Sequence, residues 1–256
     1  MTADRVPEIE AEQVSAELAR GETPVLLDVR DDDEVTAWPL PGSLHIPLAN
    51  LDEARAQPMA GREVITVCAT GNRSLKAAQR LASWGITARS MRGGMVAWSQ
   101  VFDAVPIALG DGIQVVQFRR LGKGCLSYLV VAGDEAAVID PSWHWEQYTN
   151  AATEHGAAIR AVVDTHLHAD HISGARQLAE RVRARLYLGA LEAFAFDGFI
   201  PANDGDAVQV GPARLEALVA PGHTPGSLVW RLDGALFTGD VLFLSSVGRP
   251  DLHGRT

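Results

Sequence analysis

Thr165-His166-Leu167-His168-Ala169-Asp170-His171 is the stretch on which the reading of this chain turns. Three histidines and one carboxylate fall within six consecutive positions, in a chain that has only eight histidines. Imidazole nitrogen and carboxylate oxygen are the ligand set of zinc and of non-haem iron. An apolar run read as a strand, Ile159–Asp164, leads into it. A turn after a strand aims alternate side chains inward, so His166 and His168 face one cavity, with Asp170 and His171 facing it from the far side. Two later loops offer more ligands. His223 sits in Ala220-Pro221-Gly222-His223-Thr224-Pro225-Gly226-Ser227, where two prolines and two glycines restrict the backbone, and Asp240 ends Phe237-Thr238-Gly239-Asp240. Any one of these alone reads as a loop histidine or a capping aspartate, whereas the whole set reads as a metal site.

Outward from the cluster, strand patterns crowd together. Val115–Phe118, Leu126–Val131 and Ala137–Asp140 precede it with no long helix between them. Helices are expected over about 145–154 and 174–185. More strands are expected at Ala207–Val210, Leu215–Val219, Leu228–Leu232 and Ala235–Phe237. Consecutive strands with a few helices predict packed sheets with outer helices. The first hundred residues differ. Val25–Val29 and Val64–Cys68 are apolar runs suited to buried parallel strands, Leu44–Pro47 is a short strand, and Ser74–Trp84 has helical apolar spacing with Gly85 just beyond it. That alternation predicts an α/β unit with a parallel sheet. Pro106, Gly110 and Gly112 mark a linker. The expected organisation is residues 1–105, a linker at 106–112, and a second domain at 113–256.

Composition sets outer bounds. The 256 residues are 47% hydrophobic and 21% charged, an ordinary globular mixture. Thirty-two acidic against 22 basic residues leave a net charge of −10, which argues against a nucleic-acid backbone as partner. Two cysteines cannot build a disulfide framework, so a reducing compartment is expected. Without an apolar run of membrane length or an apolar leader, a cytoplasmic protein with no membrane partner is expected.

The second chemical signal is Cys68-Ala69-Thr70-Gly71-Asn72-Arg73-Ser74, between a strand and a helix. A loop that opens a helix points several backbone N–H groups at one spot, and the helix dipole adds positive potential. A cysteine there has a lowered pKa and is a good nucleophile. Gly71 permits the turn, and Arg73 adds positive charge. Cys125, at a strand start, reads as a small buried residue. His45, His144, His155 and His253 read as surface or packing residues, and Arg249 with Asp251 as an ion pair.

The first hundred residues resemble the rhodanese-like sulfurtransferases. The resemblance rests on Leu27-Asp28-Val29-Arg30 with Glu34, Pro41-Gly42-Ser43, the loop Cys68–Ser74, and Gly93-Gly94-Met95-Val96-Ala97-Trp98. Trp38-Pro39 stands where that family usually has Gly-His. The resemblance implies a persulfide carried on Cys68 and a catalytic role for Cys68 and Arg73. Residues 113–256 resemble the metallo-β-lactamase superfamily, through His-x-His-x-Asp-His with a downstream His and Asp. Within it they resemble the persulfide dioxygenase branch, through Gly124–Leu129, Ile139-Asp140-Pro141, His171–Ala175 and Gly248–Asp251. That branch implies one Fe(II) on His166, His223 and Asp240, with three positions open for O₂ and a thiolate-bearing substrate. His168, Asp170 and His171 then shape the site or belong to a second metal. The implied fold is an αββα sandwich.

Together these imply oxidation of a glutathione-type persulfide to sulfite, coupled to sulfur transfer through Cys68. Small-molecule persulfide or thiol and O₂ are the expected partners. Two alternatives stand: a zinc thioester hydrolase of the glyoxalase II kind, and a sulfur-carrier or regulatory protein with an inactive metal domain. Relatives in the superfamily continue past the position of Asp240, and this chain stops at Thr256. The second sheet is therefore expected to be incomplete, with Leu215, Leu218, Val219, Leu228, Leu242 and Phe243 short of cover.

Overall fold

The computed structural model describes residues 6–110, 112–168 and 173–250. Asp170, His171, Asp251 and His253 lie outside them. The chain divides into two compact units: residues through Asp103 together with Arg120–Cys125, and Ala104–Arg119 together with the residues from Leu126 on.

In the first unit, β1 (Glu8–Ile9), β2 (Val25–Asp28), β3 (Leu44–His45), β4 (Val64–Val67) and β5 (Ala88–Met91) form a parallel sheet ordered β1-β5-β4-β2-β3. Every residue of β2 and β4 is buried. Alternation explains why: Val25, Leu27 and Val64 point into one core, and Leu26, Ile65 and Val67 into another on the opposite face. Helices cover both faces: α1 (Ala11–Ala19), α2 (Asp32–Ala37), α3 (Glu53–Ala56), α4 (Asn72–Ser83) and α5 (Gly94–Trp98). The last strand-to-helix turns bring α4 and α5 to the C-terminal end of β4, where Cys68 follows.

The second unit holds two sheets. The larger runs β12-β11-β10-β9-β8-β7-β6, from β6 (Phe102–Gly110), β7 (Ile113–Arg120), β8 (Leu126–Ala132), β9 (Glu135–Ile139), β10 (Ala158–Val163), β11 (Arg185–Gly189) and β12 (Ile200–Ala202). The smaller is an antiparallel meander of β13 (Ala207–Val210), β14 (Ala213–Val219), β15 (Leu228–Leu232) and β16 (Ala235–Phe237). Val115, Val130, Ile139 and Val163 of the first sheet meet Leu215, Leu228, Trp230 and Phe237 of the second in one core. The intervening residues face outward, onto α6 (Glu146–Glu154) and α7 (Ala175–Val182). Phe118 meets Tyr148 of α6 edge-on, with ring centroids 4.9 Å apart.

Two expectations need correction. The stretch 106–110, read as linker, is the second half of β6. Val105, Ile107 and Leu109 alternate as a strand requires, and Pro106 is tolerated because β6 is an edge strand. Leu215 and Leu228 do not lack cover: they are 0% and 1% exposed, because the meander closes directly on the larger sheet. Leu242 and Phe243 are exposed, and Leu218 and Val219 are half-buried. Among the described residues no helix is long and apolar enough to cross a membrane.

Candidate metal centre and cysteine loop

The metal-centre residues gather where strands of both sheets end. His166 follows β10, His223 lies in the connection from β14 to β15, and Asp240 follows β16. One donor atom from each lies within 4.8 Å of the others. Asp240 Oδ2 is 3.5 Å from His223 Nε2 and 3.9 Å from His166 Nε2. The side chains of His166 and His223 are 4% and 11% exposed, and that of Asp240 is 39% exposed, so the group opens on the Asp240 side.

Hydrogen bonds hold these loops together. Leu228 N–H donates to the Thr165 carbonyl at 2.7 Å, which ties the start of β15 to the His166 turn. Trp230 Nε1 donates to the Asp164 carbonyl at 3.2 Å. In the His223 loop, Thr224 N–H donates to Ser227 Oγ at 3.0 Å, and the Thr224 hydroxyl donates to Glu192. A Cβ on Gly239 would lie 2.2 Å from Thr165 Oγ1, so only glycine lets the Asp240 loop pass this close.

Asp140 is the anchor that ligand spacing did not single out. It accepts the Thr165 backbone N–H at 2.6 Å and the Thr165 hydroxyl at 2.8 Å. The same hydroxyl lies 2.9 Å from His166 Nδ1. Its one proton goes to the carboxylate, so it accepts from Nδ1–H, and Nε2 is left as the lone-pair nitrogen turned to Asp240. The legible signal was positional: Asp140 and Asp164 each end a buried apolar strand, where a carboxylate is costly unless it is used.

His168 lies elsewhere than His166, His223 and Asp240. Its Nε2 is 3.3 Å from Asp140 Oδ1 and 4.0 Å from Asp164 Oδ1, and its ring centroid is 4.2 Å from that of His166. Burial works against charge on both aspartates. At Asp140 the His168 imidazole and the Thr165 N–H outweigh it and hold the carboxyl below its ordinary range. At Asp164 burial wins, helped by the Asp140 charge, and pushes the carboxyl up to about 7.

Cys68 is 1% exposed at the end of β4. Burial raises its pKa, but the Ser74 hydroxyl and the backbone N–H groups of Ser74, Thr70 and Gly71 outweigh it, and the net shift is downward. Gly71 N–H is 3.1 Å from Sγ, and Ser74 Oγ is 3.5 Å away. The N-terminus of α5 clasps the loop: Met95 N–H donates to the Cys68 carbonyl at 2.8 Å, and Val96 N–H to that of Ala69 at 3.1 Å. The Arg73 guanidinium pairs with Asp31 Oδ2 at 3.0 Å and Glu34 Oε1 at 2.6 Å, and its charge also interacts with Cys68. Glu34 is held down to about 2, first of all by that Arg73 hydrogen bond. Arg30 is fully buried and binds Asp28 through both Nε and Nη2, while Nη2 also donates to the Trp38 carbonyl at 2.8 Å.

Residues 120–255 match the metallo-beta-lactamase superfamily, and residues 10–101 match the rhodanese-like domain. A hydroxyacylglutathione hydrolase of Anaeromyxobacter dehalogenans is 34% identical over 130 residues, covering 51% of this chain and 51% of that protein. The mitochondrial persulfide dioxygenase of Bos taurus is 33% identical over 152 residues, covering 56% of this chain and 59% of that protein. A metallo-beta-lactamase crystal structure from Staphylococcus aureus superposes with a TM-score of 0.52 at 31% identity, over 56% of this chain and 48% of that one. The chain thus spans between half and two thirds of the length of these curated relatives.

Proposed function

The chain belongs to the metallo-beta-lactamase superfamily and carries a rhodanese-like domain ahead of it, and from that premise we propose a two-step sulfur enzyme. One unit oxidises a low-molecular-weight persulfide of the glutathione type, and the other moves sulfane sulfur through Cys68. The observation that carries this reading is the pairing in one chain of a metal-ligand group with a cysteine whose thiol is held below its ordinary pKa.

The residues fit a single metal ion. Two imidazole Nε2 atoms and one carboxylate oxygen converge, and Thr165 leaves the proton of His166 on the nitrogen turned away from the group. His166, His223 and Asp240 would hold the ion, and this two-histidine, one-carboxylate set suits Fe(II). Bound there, iron would supply the activation of O₂ that the side chains cannot. Asp140 and Thr165 keep His166 in one tautomer, and the His223 loop is locked by Thr224, Ser227 and Glu192. Overall, a persulfide, one O₂ and one water give a thiol, sulfite and two protons. In the first unit, Cys68 thiolate attacks a sulfane sulfur, takes it as a persulfide and expels the donor thiolate or sulfite. The backbone N–H groups around Sγ stabilise the negative sulfur before and after transfer.

The hydroxyacylglutathione hydrolase relative supports a second reading, thioester hydrolysis with zinc on the same residues. The test is metal analysis of the purified chain, followed by assays with glutathione persulfide and with S-lactoylglutathione. Stoichiometric iron and persulfide-dependent O₂ uptake are expected, with uptake retained in Cys68→Ser and sulfur transfer lost. Zinc with thioester hydrolysis and no O₂ uptake would overturn the dioxygenase reading. A chain inert in both assays that still forms a Cys68 persulfide would point to a sulfur carrier.

A further inference from the structure

Beside β10, the second unit has a cavity of about 350 Å³ lined by Arg160, Arg183, Arg185, Tyr187, Glu135 and Gln209, together with Val208 and Ala161. Three guanidiniums share this space with a single carboxylate. That carboxylate is committed: Glu135 Oε2 accepts the Gly211 N–H at 2.8 Å, and Oε1 lies 3.5 Å from Arg160 Nε. Many other arginines are matched with acids, as in Arg20–Glu22, Arg55–Asp52, Arg89–Glu17, Arg92–Glu10, Arg176–Glu180 and Arg231–Glu216. Among the described residues Arg183 forms no ion pair, and the one hydrogen bond of the Arg185 side chain is to Tyr187 Oη at 3.4 Å.

All three arginines are exposed, the Arg160 side chain to 61%, so water screens their repulsion and the guanidiniums stand open to an anion from solvent. Backbone geometry also sets Arg183 apart. Arg183 ends α7 with φ +56°, in the left-handed region, where glycine or asparagine is the ordinary choice. We propose that this cavity is a binding site for a compact, multiply charged oxyanion, a phosphate or sulfate group either free or carried on a small molecule. Planar guanidiniums match such oxygens two at a time, and the phenol of Tyr187 adds a donor. The volume is at the lower end of small-molecule sites, which fits a group of that size with a short body. No residue lining the cavity belongs to the metal-ligand group of His166, His223 and Asp240, so this is not the metal centre. The inference does not rest on the proposed chemistry of that centre.

The test is calorimetric titration of the full metal-containing chain with sodium phosphate, sodium sulfate and glycerol 2-phosphate, against sodium chloride at matched ionic strength. Saturable binding of the divalent oxyanions is expected, weakening as chloride rises. Arg183→Asn and Arg185→Gln should each weaken it by about tenfold, the loss of a charge-assisted hydrogen bond. Glu135→Gln, which keeps the acceptor for Gly211 and removes the one negative charge, should tighten it. Tighter binding of the glycerol ester than of phosphate would assign the site to a phosphorylated small molecule, and equal binding to a free oxyanion. Heats identical to chloride, or binding unchanged in both arginine variants with wild-type metal content, would overturn the proposal.

Discussion

The Thr165 hydroxyl decides which nitrogen of His166 carries a proton. Asp140 stays ionised, so it can only accept, and the hydroxyl is left to accept from Nδ1. Thr165→Val keeps the shape and removes both bonds. It should weaken metal affinity by about 10–100-fold, read by chelator competition, while Thr165→Ser restores it. An unchanged affinity in the valine variant would show that the relay has no hold on the imidazole. Ser74 has the matching role at Cys68. Its hydroxyl and backbone N–H favour the thiolate, so Ser74→Ala should move the Cys68 pKa up. The pH profile of its alkylation rate should shift to higher pH, with less thiolate at neutrality; an unmoved profile would assign the lowering to the backbone alone. Residue types singled out both candidate sites in the sequence. Of their supports, Asp140 was marked only by its place at a strand end, and Thr165 and Glu192 carried no signal of their own, because a hydrogen bond between distant strand ends leaves no spacing to read.

Among the elements, α5 shows how a short helix sets a reactive loop. Its first residue, Gly94, has φ +56°, and a Cβ there would lie 2.1 Å from the Cys68 carbonyl oxygen. Gly94→Ala must therefore push α5 off the loop and release the bonds from Met95 and Val96. A loss of about 2–3 kcal/mol in the first unit is expected, as for an overpacked core, together with slower alkylation of Cys68. Denaturant unfolding and labelling rates check both; a stable variant with normal labelling would mean the clasp is dispensable. Strong apolar runs such as β2 and β4 were legible, since burial on both faces demands them. Weaker strands were not. Arg185-Leu186-Tyr187-Leu188-Gly189 begins on a charge directly after a helix, and β6 carries a proline, yet both are held by neighbours already in the sheet.

At the scale of the molecule, each unit has its own hydrophobic core, and only the second contains the metal-ligand group. A ligand that binds only the folded state stabilises by about 2.7 kcal/mol at a hundredfold excess over its Kd. Chelation should therefore lower one of two calorimetric transitions and leave the other in place. Hydrogen exchange should assign the lowered one: peptides covering Leu228–Leu232 should lose protection, and peptides covering Val64–Val67 should not. A single transition, or loss of protection in both peptides, would show that the units do not unfold independently.

What the sequence by itself determined is chemical and local. Clustered imidazoles gave the expectation of a metal site, a cysteine between a buried strand and a glycine-bearing turn that of a nucleophile, and periodicity announced an α/β unit followed by packed sheets. These are legible because ligand type, turn residue and burial period are properties of short stretches. Tertiary structure decided which charges stand where. It brought Asp31 and Glu34 of the α2 start onto Arg73, the cation expected beside Cys68. It turned His168 Nε2 toward Asp140 and Asp164, and it left Arg183 and Arg185 beside Arg160 in one cavity. Each outcome depends on which distant strand ends and helix starts become neighbours, and electrostatic energy follows distance in space rather than separation along the chain.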